Sequence, residues 1–171
     1  MARQLSEQAQ VAKILKQKAK ELGLKVKASS ESFAGGDSVT IKVLSGTDDS
    51  YAKLKEYSRK YKYGNFNGMI DLYEMSNIRN DIPQTKYLSV NDDRLDQIID
   101  DNYQGSLESY YSLKFTENGE NVGQYKLFQR LREISGENWR EYAAEMIKNI
   151  ESIGSSRLNL QGWDLEISKE S

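Results

Sequence analysis

A change of hydrophobic period near residue 24 restricts the fold more than any other feature of this chain. Before it, Leu5, Ala9, Ala12, Leu15, Ala19 and Leu22 recur every three or four residues, which predicts a helix over 5–23 with Gly23 as its stop. After it, Leu24, Val26 and Ala28 alternate with polar residues, and Val39, Ile41 and Val43 do the same. Alternation by two places every second side chain on one side of a strand. "SFAGGDS" lies between the runs and reads as a turn, so the segment is predicted to be a strand hairpin.

The helical period then returns. "TDDSYAKLKEYSRKYKYG", 47–64, carries a helix-start signal at Thr47 to Asp49, a stripe at Tyr51, Leu54, Tyr57 and Tyr61, and a stop at Gly64. A third strand is predicted around 86–90. The following "NDDRLDQIIDDNY" starts a helix capped by Asn91 or Asp92, with Leu95, Ile98 and Ile99 buried. "GSLESYYSLKFTENGENVG" begins as a short helix and ends in a polar turn. Val122, Tyr125, Phe128 and Leu131 form a narrow helical stripe over 122–135. Over 136–154, Trp139, Tyr142, Ala143, Met146, Ile147 and Ile150 form a full core face. The tail "RLNLQGWDLEIS" reads either as a late strand or as a docked extended segment. The whole is an α+β fold: a small antiparallel sheet with N-terminal helices and a helical C-terminal portion. The boundary is placed near residue 90, with an α+β domain at 1–90 and a mostly helical, acidic portion at 91–171 packed on it.

The chain of 171 residues has neither cysteine nor histidine. That excludes disulfides, Cys/His zinc sites and every Ser-His or Cys-His nucleophile. Charged residues make up 29% and hydrophobic residues 37%, with no apolar run long enough to span a bilayer. The first twenty residues lack the apolar stretch of a secretory signal, so a cytoplasmic protein is expected. The net charge of −2 is unevenly spread. Residues 1–63 hold 13 Lys/Arg against 7 Asp/Glu, a net of +6, and residues 64–171 hold 11 against 19, a net of −8. Two regions of opposite sign suit different electrostatic partners, or each other.

"KYKYGNFNGMIDLYE", 60–74, is the most unusual stretch. Gly64 and Gly68 are four apart and follow a helix, which does not fit the strand–G-x-G-x-x-G–helix arrangement of a dinucleotide loop. Ala34-Gly35-Gly36-Asp37 likewise lacks the Lys-Ser/Thr of a phosphate loop. No cofactor is expected. The stretch reads as a tight reversal in which glycine and asparagine supply positive φ while Phe66, Met69, Ile70 and Tyr73 pack beneath the sheet. Asp71 and Glu74 would share a metal only on a helix, and paired surface carboxylates ordinarily hold none.

The same residues carry a resemblance. Ser30 to Phe33, the Gly-Gly-Asp-Ser at 35–38 with its following strand, and Gly64, Phe66, Gly68, Met69, Asp71 and Tyr73 resemble the large polyvalent protein-associated domain of phage, plasmid and other mobile-element proteins. The likeness covers roughly 8–76 and lends no catalytic residues. It implies a protein that helps invading DNA survive in a bacterial host. Some stand-alone proteins of this kind, anti-CRISPR proteins among them, block host defences by binding.

Three functions are therefore open. The first is a non-catalytic inhibitor of a defence protein such as a CRISPR effector nuclease. Such effectors hold nucleic acid in a positive channel, which an acidic surface can occupy. Its binding residues would be Asp92, Asp93, Asp96, Asp100 and Asp101, with Tyr63, Phe66 and Asn67 of the glycine-rich stretch. The second is a nucleic-acid-binding accessory protein using Lys53, Lys55, Arg59, Lys60 and Lys62, interleaved with tyrosines for stacking. The third is an enzyme with a carboxylate-held metal, for which only Asp71 and Glu74 stand out.

Overall fold

The computed structural model describes residues 4–169 and has an α+β fold whose chain divides into two compact units after Arg94. No helix among the described residues is long and apolar enough to cross a membrane.

The first unit contains α1 (Glu7–Glu21), β1 (Lys25–Phe33), β2 (Gly36–Ser45), α2 (Asp48–Ser58), β3 (Asn65–Asn67), β4 (Leu72–Glu74) and β5 (Tyr87–Asp92). The sheet order is β1-β2-β5. The alternation that predicted β2 is the buried set: Val39, Ile41 and Val43 pack against Val11, Leu15 and Ala19 of α1 and Leu54 of α2. β1 runs on through the polar residues 29–32, because its backbone stays paired with β2 as far as Phe33 opposite Gly36. Ladder hydrogen bonds need no apolar side chain. The sheet is not wholly antiparallel. β5 lies parallel to β2, from Tyr87 beside Ser38 to Asp92 beside Val43. A parallel partner needs a long crossover, which α2 and the β3–β4 segment supply.

Thr47 caps α2 as expected, its hydroxyl accepting from the Ser50 N–H at 3.1 Å. Gly64 is not the stop. The helix ends at Ser58 and tightens into a 3₁₀ turn over Arg59–Tyr61. Asp92 belongs to β5 rather than to an exposed acidic face. It is ion-paired to Arg94, which is 2% exposed. The Arg94 guanidinium donates to both Asp92 carboxylate oxygens at 2.8 and 2.9 Å and to the Gly46 carbonyl at 3.1 Å, and it lies 2.6 Å from Asp48. Burial works against its charge, but the Asp92 and Asp48 carboxylates outweigh that and raise its pKa.

The second unit holds most of α3 (Arg94–Asn102), then α4 (Leu107–Tyr111), β6 (Leu113–Glu117), β7 (Glu120–Val122), α5 (Gln124–Ser135), α6 (Trp139–Ile153), β8 (Ser155–Leu160) and β9 (Trp163–Lys169). Alongside its helices it has an antiparallel sheet of order β7-β6-β9-β8, which the sequence reading did not anticipate. The polar turn is the β6–β7 hairpin, and the tail is the β8–β9 hairpin. Asn118-Gly119 and Gln161-Gly162 both have positive φ at each residue, the conformation that closes two-residue hairpins. The core combines Leu127, Phe128, Leu131 and Ile134 of α5, Trp139, Ala143, Met146, Ile147 and Ile150 of α6, and Leu165 and Ile167 of β9. Tyr125, expected to be buried, is 82% exposed. A strict spacing of three drifts around a 3.6-residue helix, so the buried stripe starts at Leu127 instead.

Candidate functional site: an exposed apolar hairpin

β3 and β4 form a separate two-stranded hairpin, with Asn65, Phe66 and Asn67 opposite Glu74, Tyr73 and Leu72. Its turn is built from side chains rather than glycine. Asn67 Oδ1 accepts from the Met69 N–H at 3.1 Å, and Asp71 takes the left-handed conformation at φ 52°. Neither Gly64 nor Gly68 has positive φ, contrary to expectation. Asp71 and Glu74 do not share a helical turn. Glu74 lies in β4 and accepts from the Asn67 side-chain amide at 3.1 Å. Among the described residues no group of three or more Asp or Glu is placed to hold a metal ion.

The apolar side chains of this segment do not pack beneath the sheet. Phe66, Ile70 and Leu72 are more than half exposed and Met69 is 96% exposed. The loop that follows adds Met75 and Ile78, also exposed. Six large apolar residues thus reach solvent within thirteen positions, whereas single exposed apolar residues elsewhere are ordinary.

The base of this surface is fixed. Tyr73 turns inward, and its hydroxyl donates to the Lys86 carbonyl. Its ring meets Tyr63 and Tyr87 edge-on at 5.9 and 5.6 Å, and Tyr87 stacks on Phe33 at 6.1 Å. Gln84 is buried and makes three hydrogen bonds: its amide donates to Lys60 O at 2.8 Å and Asn77 O at 2.9 Å, and its oxygen accepts from Arg79 N at 2.8 Å. Asp37, from the start of β2, accepts from the Thr85 hydroxyl and the Lys86 N–H, both at 2.8 Å. Asn77 N–H donates to Tyr63 O, and Tyr63 N–H to Thr85 O. The glycine at position 64 permits the approach of β4: a Cβ there would stand 2.1 Å from the Glu74 carbonyl oxygen.

Burial lifts the Tyr73 hydroxyl to a pKa of about 12, with Tyr63 and Tyr87 adding to the effect. An unfolded tyrosine ionises near pH 10. The folded form therefore keeps a proton that the unfolded chain gives up. Stability from this group is complete below about pH 10 and is lost as pH rises toward 12. Melting curves at pH 9, 10.5 and 11.5 test this. The decline should be steeper for the native protein than for Tyr73→Phe, which has nothing to ionise.

The sequence-derived candidates separate. Phe66 lies on the exposed surface, while Tyr63 and Asn67 are structural in the hairpin base and turn. Asp96, Asp100 and Asp101 are exposed on α3, and Asp101 accepts from Gln97 at 2.9 Å. Asp92 is spent on Arg94. Asp93 is half-buried, with its N–H on Val43 O at 2.9 Å.

The basic candidates do not form an open field. Lys53 pairs with Asp49 and Arg59 with Glu56, each at 2.9 Å. Lys60 covers the Tyr57 ring at 4.3 Å, and Lys18 covers it at 4.8 Å. Lys55 lies 6.0 Å from the Tyr51 ring, and Lys62 donates to Asn65 at 3.2 Å. Tyrosine faces already occupied by lysine are poor stacking platforms for bases. Comparison with family models, curated proteins and solved structures gives no match. Of the partner-binding candidates, Phe66 on the hairpin and Asp96, Asp100 and Asp101 on α3 reach solvent. The hairpin was visible in the sequence only as an excess of apolar residues inside a turn.

Proposed function

We propose that this protein is a non-catalytic inhibitor that acts by docking on another protein, and that its target is a bacterial anti-phage defence protein, an effector nuclease of the CRISPR type being the leading candidate. The observation that carries the docking part is the fixed hairpin with Phe66, Met69, Ile70, Leu72, Met75 and Ile78 exposed. A rigid base leaves little ordering entropy to lose when a partner covers these side chains. The defence target rests on the resemblance of residues 8–76 to the large polyvalent protein-associated domain. The exposed carboxylates Asp96, Asp100 and Asp101 on α3 support it as well. Negative charge steers a protein toward a nuclease that exposes a positive channel, and salt slows that encounter.

Phage plating on strains carrying single defence systems tests the proposal. Expression of the chain should restore plating in at least one strain, and Met69→Asp with Ile70→Asp should abolish the effect while the protein stays folded. Purified protein should inhibit its target at a fixed molar ratio. Asp96, Asp100 and Asp101→Asn should weaken inhibition at low salt by about tenfold and less at high salt. Protection in no strain, or inhibition far below one equivalent, would overturn the reading. Nucleic-acid binding is the second reading, supported by Arg59 and Lys62, two of its candidate cations, which line one notch with Asn65 and Asn77. Retention of labelled DNA that falls steeply with salt would favour it.

A further inference from the structure

Beside the apolar surface lies a polar notch lined by Arg59, Lys62, Gly64, Asn65 and Asn77. Two cations and two amides line it, and no carboxylate does. Lys62 spends one N–H on Asn65 Oδ1 at 3.2 Å, and Arg59 spends Nη1 on Glu56 at 2.9 Å. An ammonium carries three donors and a guanidinium five, so most of theirs remain for a ligand, together with the Asn65 amide N–H groups. Asn77 gives a side-chain N–H to Lys62 O at 3.1 Å, which fixes one wall. The notch is therefore shaped to receive an anionic oxygen. It borders part of the apolar surface: in the β3–β4 hairpin Asn65 shares a face with Asn67 and its partner Leu72, whereas Phe66 points to the other face with Tyr73.

We infer that the hairpin recognises a protein segment that carries an Asp or Glu next to one or two apolar side chains, the carboxylate entering the Arg59–Lys62–Asn65–Asn77 notch while the apolar residues cover Leu72, on the same face as Asn65, and Ile70 of the adjoining turn. The inference rests on the docking reading above and names the chemistry of its partner. Charge complementarity selects the acidic residue, since a carboxylate on two cations makes charge-assisted hydrogen bonds. The apolar half selects protein over nucleic acid. Five of the six exposed residues are aliphatic or thioether side chains, and only Phe66 offers a ring. Methionine and isoleucine suit an adaptable peptide contact, whereas bases need aromatic faces.

The probe is a phage-displayed random dodecapeptide library, panned on the full chain at low salt. Enriched peptides are then synthesised with a fluorescent label and measured by polarisation. The expected result is enrichment of sequences with Asp or Glu beside Leu, Ile, Phe or Trp. Their affinity should fall at least about tenfold with Lys62→Glu or Arg59→Glu, and with Ile70→Asp. Circular dichroism of each variant must match the native protein, and Lys62→Gln serves as a milder substitute where it does not. Peptides that depend on Ile70 but carry no acid, or that ignore Lys62→Glu, would overturn the carboxylate chemistry while leaving the docking surface intact. No peptide sensitive to Ile70→Asp would overturn the inference outright, and plating still tests inhibition separately. A dimer in sedimentation equilibrium that Ile70→Asp dissociates would assign the surface to a second copy instead. A labelled single-stranded 20-mer whose binding is lost in Lys62→Glu would assign it to nucleic acid.

Discussion

Trp139→Ala should destabilise the C-terminal unit by about 3–5 kcal/mol, a large part of what holds a domain of this size together. Trp139 is fully buried at the start of α6 and belongs to the core formed with α5 and β9. The Arg132 guanidinium lies 4.1 Å from the ring centroid, so truncation also removes a cation–π contact and opens a cavity that Leu and Ile neighbours cannot fill. Chemical denaturation followed by circular dichroism measures the loss. Trp139→Phe should recover more than half of it, because a ring still fills most of the space. Unchanged stability would place the indole outside the core.

Gly64→Val should have an effect of similar size on the first unit, and for a different reason. Position 64 has an ordinary φ, so the backbone conformation itself tolerates a side chain. The obstacle is contact. A Cβ would come within 2.1 Å of the Glu74 carbonyl oxygen and 3.0 Å of its carbon, both backbone atoms that cannot rotate away. β4 would have to move off β3, taking with it the inward Tyr73 and its bond to Lys86. We expect a loss of about 3 kcal/mol or more, at the high end for overpacking. Gly68→Ala is the control. A Cβ there meets only the Phe66 ring edge at 3.9 Å, an ordinary van der Waals distance. Thermal melts of the two variants should differ by many degrees. Equal melts would mean that the hairpin is not held against position 64.

These two positions also illustrate what the sequence could and could not convey. The α6 face was legible because six apolar residues repeat with helical period and all the burial lies on one side. β2 was legible for the same reason at period two. The glycine-rich stretch misled because composition reports that a turn exists but not which residue bends. Asp71 took the left-handed position, and Gly64 serves a close contact between residues ten apart, which no local pattern reveals. The exposed apolar residues were expected to be buried because apolar residues usually are. The β7-β6-β9-β8 sheet went unseen because its strands are short and their apolar residues are interrupted by Asn, Glu and Arg that the sheet tolerates on its open face. Arg94 was hidden inside an acidic run. Asp92 is close in sequence, but the other partners, Asp48 and Gly46, lie more than forty residues away, so the local pattern alone gave no sign that Arg94 is buried.

The hydrogen bonds of Gln84 have an evolutionary corollary. Its three partners are main-chain atoms of Lys60, Asn77 and Arg79, and Tyr73 likewise holds a main-chain carbonyl. Anchors of this kind do not depend on which side chains the anchored residues carry. Met69, Ile70, Met75 and Ile78 can therefore be exchanged with little penalty to folding, so a lineage facing a changing target can rewrite its contact residues one at a time on an unchanged frame. Variation among descendants of this protein should accumulate at those four positions first, while Gly64, Asp37, Tyr73 and Gln84 stay as they are.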